Sequence, residues 1–569
     1  MLHLLIIALF IVIALHDSVV GGGRFGNGAG AERPLDWAWA ATLGPMFALA
    51  AATVAVVGVL ARRCVERGSW RAFTLADRML ALSRAGVLLL HAANVLALGW
   101  LGLVRGVIGD VVALDELAAI TPPLLVIIAG WWAYAPIEQQ LRQATMYRLL
   151  ETGQPQYPMV SRGRYVVLNI RHQILLTLAP LGLIAAWSEG LARGLSRLEG
   201  LAGPHGGLAR VGAWLGDEGN RAVVETGLQL AGVAVIFSVS PLLLRRLWDT
   251  VRLSSGPLHD RLMDLCRSSG VKIRGLLVWR THGTMLNGAV IGLFAPLRYI
   301  LLTDALLDQL PRRQVEAVMA HEIGHAKHGH MPWLAGSLLA GFGGAAVLVG
   351  VVAWGVLVLV DLAGQPALAE RFGASGVLMG VMALCSFAAA LAWFGFVSRR
   401  FEWQADAFAV QQLSRVIEDE EERDGLPTGR STTVSTAWPG FTNIVTTLDL
   451  DALSRPVAAV AERGRVRAEA VEAMTGALDS VAELNHISKR RFTWRHGSIA
   501  YRQKRLRELA GRPLGPQPID RVSRVLKRVV AGGLLLLVGL IVAERAFLGD
   551  SAAGRGDAPA RTPRGGGAR

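Results

Sequence analysis

The stretch VEAVMAHEIGHAKHGH, residues 315–330, decides how this chain is read. Its opening run, VEAVMA, has the texture of a helix. On a helix, positions four apart stand one above the other on the same face. His321 and His325 have that spacing, so both imidazoles can reach one zinc ion, at about 2.0–2.1 Å each. Glu322 follows the first imidazole and can aim its carboxylate at a water on that ion. Zinc in a reactive site takes three protein ligands and keeps a fourth position open. His328 is no third ligand, because seven residues from His321 is about 10 Å along the axis. His330 falls on the opposite face of a continuous helix. Both are read as polar residues at a membrane interface.

The third ligand is sought downstream, in RRFEWQADA, residues 399–407. Glu402 and Asp406 lie one helical turn apart. Glu402 can ligate while Asp406 accepts a hydrogen bond from a ligand imidazole and so fixes its tautomer. Two apolar segments separate this stretch from the histidines. As an out-and-back pair they return the chain to the side it left.

Outward from there the chain is mostly apolar: 52% of its 569 residues are hydrophobic and 18% charged, with a mean hydropathy of +0.40. Soluble chains carry about a quarter charged residues. Nine segments approach the 20 or so residues that cross a bilayer, near 2–20, 37–60, 85–104, 117–136, 173–188, 226–244, 333–360, 377–397 and 529–548. The first reads as an uncleaved anchor, lacking the Lys/Arg start of a signal peptide. Residues 61–84 hold six Arg against two acids and 137–172 five against two, whereas 105–116 hold one Arg against three acids. That alternation, continued through Arg245, Arg246, Arg399 and Arg400, puts the polar blocks 245–332 and 398–528 on the cytoplasmic side. Lys327, Arg312 and Arg313 flank the histidines, which places the site at that membrane face or in a chamber open to it.

The net charge of +14 follows from these loops. No basic stretch interleaved with aromatics offers a platform for nucleic acid, and no nucleic-acid partner is expected. Cys64, Cys266 and Cys385 form neither a metal pair nor a disulfide framework and read as small buried thiols. Residues 290–303 predict a hairpin turning at Ala295-Pro296, and 311–330 a helix opened by Pro311. The run EDEEERD, 418–424, with the Ser/Thr-rich stretch after Gly425, reads as a solvated loop.

HEIGHAKHGH, then two membrane segments, then EWQADAFA, resembles the integral-membrane gluzincins: the CAAX prenyl endopeptidases and HtpX-type proteases. The likeness covers roughly residues 250–510. It implies that His321, His325 and Glu402 bind one zinc ion and that Glu322 is the general base. Asn287-Gly288-Ala289 resembles an Asn-Ala element bordering the family's substrate groove, with an added Gly. His496-Gly497-Ser498 through Arg502 resembles a His-Pro…Arg element, with Gly497 in place of Pro. Asn287, His496 and Arg502 are thus candidates for contact with substrate.

The expected fold is mainly α, a polytopic α-helical membrane protein of about nine membrane helices with a cytoplasmic, zincin-like α+β catalytic domain. Residues 1–244 form an N-terminal membrane region of about six helices. The metallopeptidase domain comes in two parts, 245–332 and 398–515, split by a membrane hairpin over 333–397. A C-terminal membrane helix spans 516–548 and a disordered tail 549–569. The expected function is zinc-dependent endopeptidase action on proteins or peptides within or beside the lipid bilayer. The Arg-rich composition suggests a high-GC bacterium and hence its inner membrane. The alternative is a scaffold or transporter with an incidental HExxH motif.

Overall fold

The computed structural model of the protein describes residues 2–20, 35–151, 159–200, 207–283, 285–368, 376–423, 463–485 and 487–553. The stretch after Gly425 and most of the expected tail lie outside them. The chain divides into two units, residues 1–190, 230–331 and 398–520 in one, and 191–229, 332–397 and 521–569 in the other.

Helices α1 (Leu2–Val20), α2 (Leu35–Arg67), α3 (Trp70–Leu96), α4 (Trp100–Ile108), α5 (Leu114–Glu151), α6 (Arg162–Asn169), α7 (Leu176–Gly200), α8 (Gly207–Leu215) and α9 (Glu218–Leu247) make up the N-terminal region. A π-helical turn, Ile170–Leu175, joins α6 to α7. Ile6, Leu9, Met46, Val87, Leu101 and Ile120 share one buried apolar cluster, so the first five helices pack on each other. Among the described residues, six helical stretches are long and apolar enough to cross a membrane: Trp37–Arg67, Arg71–Leu96, Leu114–Ala144, Arg162–Gly200, Gly219–Leu247 and His330–Leu362. The expected segment 85–104 is broken, because α3 ends at Leu96 and Gly99 adopts a left-handed φ of 72° before α4. The remaining expected segments, 2–20, 377–397 and 529–548, fall on α1 and on the later helices α14 and α17.

After α9 the texture changes. Strand β1 (Thr250–Arg252), α10 (Pro257–Ser268), β2 (Gly275–Trp279), β3 (Gly288–Ile291), β4 (Tyr299–Thr303) and α11 (Asp304–Gln309) lead into α12 (Arg312–Lys327). The sheet runs β1-β2-β4-β3. β2 and β4 are parallel, with Leu277 opposite Leu301. β3 returns antiparallel on β4, with Gly288 opposite Leu302, which is the expected hairpin. The YILLT run of β4 is buried along its whole length, as a strand covered on both faces must be. β3 is left at the edge of the sheet, with β4 on one side of it only.

Helices α13 (His330–Leu362), α14 (Gly376–Arg423), α15 (Ala468–Leu484), α16 (Ile499–Arg507) and α17 (Pro518–Ala553) complete the chain. Met319 and Ile323 of α12 pack beneath the sheet with Leu276, Ile300 and Leu302. Ala317 and Ala320, on another face of α12, join Ala409, Val410 and Leu413 of α14 and Met474 of α15. α12 is thereby clamped between the sheet and α14.

Candidate metal centre

The site exists because α12 and α14 approach closely at Gly324. A Cβ built there would stand 3.1 Å from the Cα of Ala405 and 3.1 Å from the Phe408 ring, nearer than such atoms normally come. With no side chain in the way, His321 and His325 on one helix face Glu402 and Asp406 on the other.

Three atoms converge. The Nε2 atoms of His321 and His325 are 3.2 Å apart. Glu402 sets Oε2 3.7 Å from the first and Oε1 3.6 Å from the second. Ligand atoms held at about 2.0–2.1 Å around one tetrahedral ion stand about 3.3–3.4 Å from one another. The triangle therefore has the dimensions of three corners around a single metal ion. Charge points the same way. Glu322, Glu402 and Asp406 are 9%, 6% and 1% exposed beside the Arg502 guanidinium, and such a gathering of carboxyl groups favours a bound cation.

Behind His321, Nδ1 lies 2.9 Å from Asp406 Oδ1. Arg502 of α16 donates to the same carboxylate through Nε at 2.8 Å and Nη2 at 2.6 Å, and its Nη1 is 3.5 Å from Glu402 Oε2. Burial would raise the Asp406 carboxyl, but the Arg502 guanidinium outweighs it and holds the carboxyl low. Burial likewise opposes a charged His321, but the Asp406 carboxylate overrides it and the imidazole is raised. His325 has no such carboxylate at its back, and burial pushes it down to about 3. It is neutral near pH 7, with a lone pair free to ligate.

Glu402 is held well below the usual carboxylate range: burial acts upward, but His496 and Arg502 prevail. His496 Nδ1 sits 2.9 Å from Glu402 Oε1 while the ring stays half exposed. Thr493 and Gly497 exchange backbone hydrogen bonds across the loop that carries it. Gly497 has φ +75°, which proline, fixed near −65°, cannot adopt. The Gly at this position thus belongs to a differently shaped turn.

Glu322 lies beside the edge strand. A Cβ on Gly288 would come 3.3 Å from Glu322 Cγ and 3.4 Å from Oε1, so the added glycine of the Asn-Gly-Ala element is where the carboxylate rests. Burial raises the Glu322 carboxyl, outweighing His321 and a hydrogen bond from the Val290 backbone, which act downward. Asn287 is exposed at the head of β3, and its backbone pairs with Thr303 on β4 through both N–H and C=O.

Three readings change. α12 ends at Lys327 and Gly329 takes a left-handed φ of 61°, so His330 does not lie on the far face of one long helix. It opens α13, is fully buried, and sets Nδ1 2.9 Å from Nδ1 of His325. Gln404, unremarked in the sequence, lies next to it. A glycine among polar residues at the end of a helical run is the signal for such a break. Likewise residues 418–423 continue α14 rather than forming a loop. Glu420 pairs with Arg261 and Arg313. The same arginines, with Arg312, surround Glu316 of α12 at 2.9–3.0 Å. This second ionic cluster, centred on the buried Glu316, ties the two ligand-bearing helices together one turn and more from the site. Of the cysteines, Cys64 and Cys266 are buried but Cys385 is exposed.

Residues 253–423 match the family model of Peptidase family M48, a span holding both helices of the centre but not His496 or Arg502. Over 191 residues the chain is 30% identical to the CAAX prenyl protease 1 homolog of Arabidopsis thaliana. That match covers 31% of this chain and 42% of the plant protein, less than half of the relative's length. The crystal structure of S. mikatae Ste24p aligns with 69% of this chain and 96% of its own, at 13% identity and a TM-score of 0.25. The resemblance to integral-membrane gluzincins that the two motifs carry is borne out.

Proposed function

We propose that the protein is a zinc metalloendopeptidase of the membrane. The observation that carries this is the triangle of His321, His325 and Glu402, with the carboxylate of Glu322 buried next to it and against the edge strand β3. Two imidazoles and one carboxylate are a donor set suited to zinc. When bound there, zinc supplies Lewis acidity, lowering the pKa of water and polarising a carbonyl.

The chain's own groups do the rest. As an edge strand, β3 offers an extended peptide backbone hydrogen bonds, which demand little of its side chains. Glu322, beside that edge, takes the proton of the attacking water and returns it to the leaving amine. Its raised pKa suits both halves of that task. His496 and Arg502 hold Glu402 and Asp406 in place, and the half-exposed ring of His496 remains open to a bound peptide.

The two polar blocks around α12 and α14 act as one catalytic domain on the cytoplasmic face of a bacterial inner membrane. A reporter fused after Arg400 reads cytoplasmic, and one in 362–374 reads external; both on one side would overturn the topology. The substrates are membrane or membrane-adjacent proteins, cut with broad specificity in processing or quality control. Glu322→Gln protein used as a trap should co-purify with many unrelated membrane proteins; one dominant partner with a fixed cleavage sequence would overturn that. The activity itself is tested with purified protein and a protein substrate. Cleavage should stop with a chelator, return with zinc, and be absent in Glu322→Gln although its zinc content is unchanged. Full activity in that variant would sink the mechanism.

A further inference from the structure

His330 and Gln404 are buried, polar and unused by the mechanism above, and they form a directed chain. The reading that follows rests on His325 being a metal ligand through Nε2. In that case the ring proton sits on Nδ1, since a ligating nitrogen has none. That Nδ1–H points at Nδ1 of His330, 2.9 Å away, so His330 accepts there and carries its own proton on Nε2. His330 Nε2 then donates to Gln404 Oε1 at 3.0 Å. This orients the amide, whose Nε2 donates to Asp520 Oδ1 at 2.7 Å and lies 3.4 Å from His328 Nδ1. Asp520, in the first turn of α17, takes the Gln517 backbone N–H on its other oxygen at 2.7 Å. Run backwards, the chain fails. A His330 donating through Nδ1 forces the proton of His325 onto Nε2, where it blocks ligation.

The surroundings fix the rings as well as the protons. His330 is fully buried and Gln404 is 4% exposed. The His330 ring stacks on Phe401, centroids 4.5 Å apart and planes within 4°. Each donor in the chain meets one acceptor, and the last acceptor is a carboxylate.

We propose that His330, Gln404 and Asp520 are positioning residues forming a hydrogen-bonded relay that locks His325 in its ligating tautomer, which makes the first turn of α17 part of the metal centre. The test uses full-length protein in detergent and reads zinc affinity by chelator competition, with the absorption spectrum of the cobalt-substituted protein as a second readout. His330→Phe keeps an aromatic ring against Phe401 but offers no acceptor, and should weaken zinc by about 10–100-fold and alter the cobalt spectrum. Gln404→Glu places two carboxylates face to face and should weaken it by about tenfold or more. Adding Asp520→Asn restores the pattern, because Glu at 404 accepts from His330 and from the new amide; affinity should return to the parent's. A pair as weak as Gln404→Glu alone overturns the relay, and so does His330→Phe binding zinc like the parent. Glu402→Ala separates the two levels. If it loses zinc while the His330 and Gln404 variants keep it, the relay falls and the metal centre stands. If it too binds zinc like the parent, the ligand assignment itself is wrong.

Discussion

The two imidazoles of the centre are held from behind in opposite ways. His321 leans on charge: its Nδ1 meets Asp406, which a bidentate Arg502 grips from the other side. On the relay proposed above, His325 leans on neutral groups: His330 and then Gln404, with a carboxylate only at the far end. An ion pair taken out of water is strongly destabilising when one member is removed, because the other is left charged and buried. A neutral chain carries less of that penalty but depends on the direction of every hydrogen bond. The ionic flank therefore governs stability and the neutral flank governs geometry. Their asymmetry also spares the site a further negative charge next to Glu322, Glu402 and Asp406.

The harshest way to break this comparison is to remove what the flanks share. Glu402→Ala should leave two imidazoles that hold no zinc through purification, as metal analysis would show. Glu322→Gln, which touches neither flank, should lower cleavage by about 10²–10⁴-fold with zinc retained. Next comes the ionic flank alone. Asp406→Ala strands the Arg502 guanidinium and should cost about 3–5 kcal/mol of stability, besides about 10–100-fold in zinc affinity. Removing both members, Asp406→Leu with Arg502→Met, should cost less stability than Asp406→Ala. Denaturation of the three proteins in detergent measures this; equal losses would mean that the pair is no stronger than its parts.

The smallest effect is a slope. In the zinc-free protein Asp406 has a folded pKa below its ordinary 3.8, so its contribution is present above that value and is lost as pH falls through the lower one. His321 is raised above its ordinary 6.5, so its contribution is present below 6.5 and is lost as pH rises through the higher value. The ionic flank thus gives the zinc-free protein a stability maximum between the two. Asp406→Asn should flatten both limbs, whereas His330→Phe should leave them in place. Denaturation midpoints across the pH range separate these outcomes, and a His330→Phe profile as flat as that of Asp406→Asn would erase the distinction between the flanks.

Most of the ionic flank was legible in the sequence and little of the neutral one. Histidines four apart, and an acid one turn after a ligand, are spacings that a helix converts directly into geometry. Arg502 entered only through resemblance, since nothing local marks an arginine a hundred residues away as the partner of Asp406. His330 was misplaced because the face argument assumed one helix through Gly329, and a single positive φ moves the next side chain around the axis. Gln404 gave no signal, as an amide on a helix ordinarily faces water. The 418–423 run looked solvated because its arginine partners, Arg261 and Arg313, lie far off in sequence. The hairpin at Ala295-Pro296 and the apolar spans were readable for the opposite reason: short-range patterning suffices for both.

Helix α14 is continuous from Gly376 to Arg423, with an apolar first half and Glu402 further along the same rod. That continuity sets an order of events during synthesis. The ribosome delivers both histidines first, then α13 and the start of α14, and only afterwards Glu402, with Arg502 later still. Under the proposed function, a nascent chain paused anywhere before Glu402 carries only two of the three ligands and should bind zinc weakly and cut nothing. The order of translation thus acts as a safety catch: under the proposed function the blade is armed only after the intervening hairpin has been made.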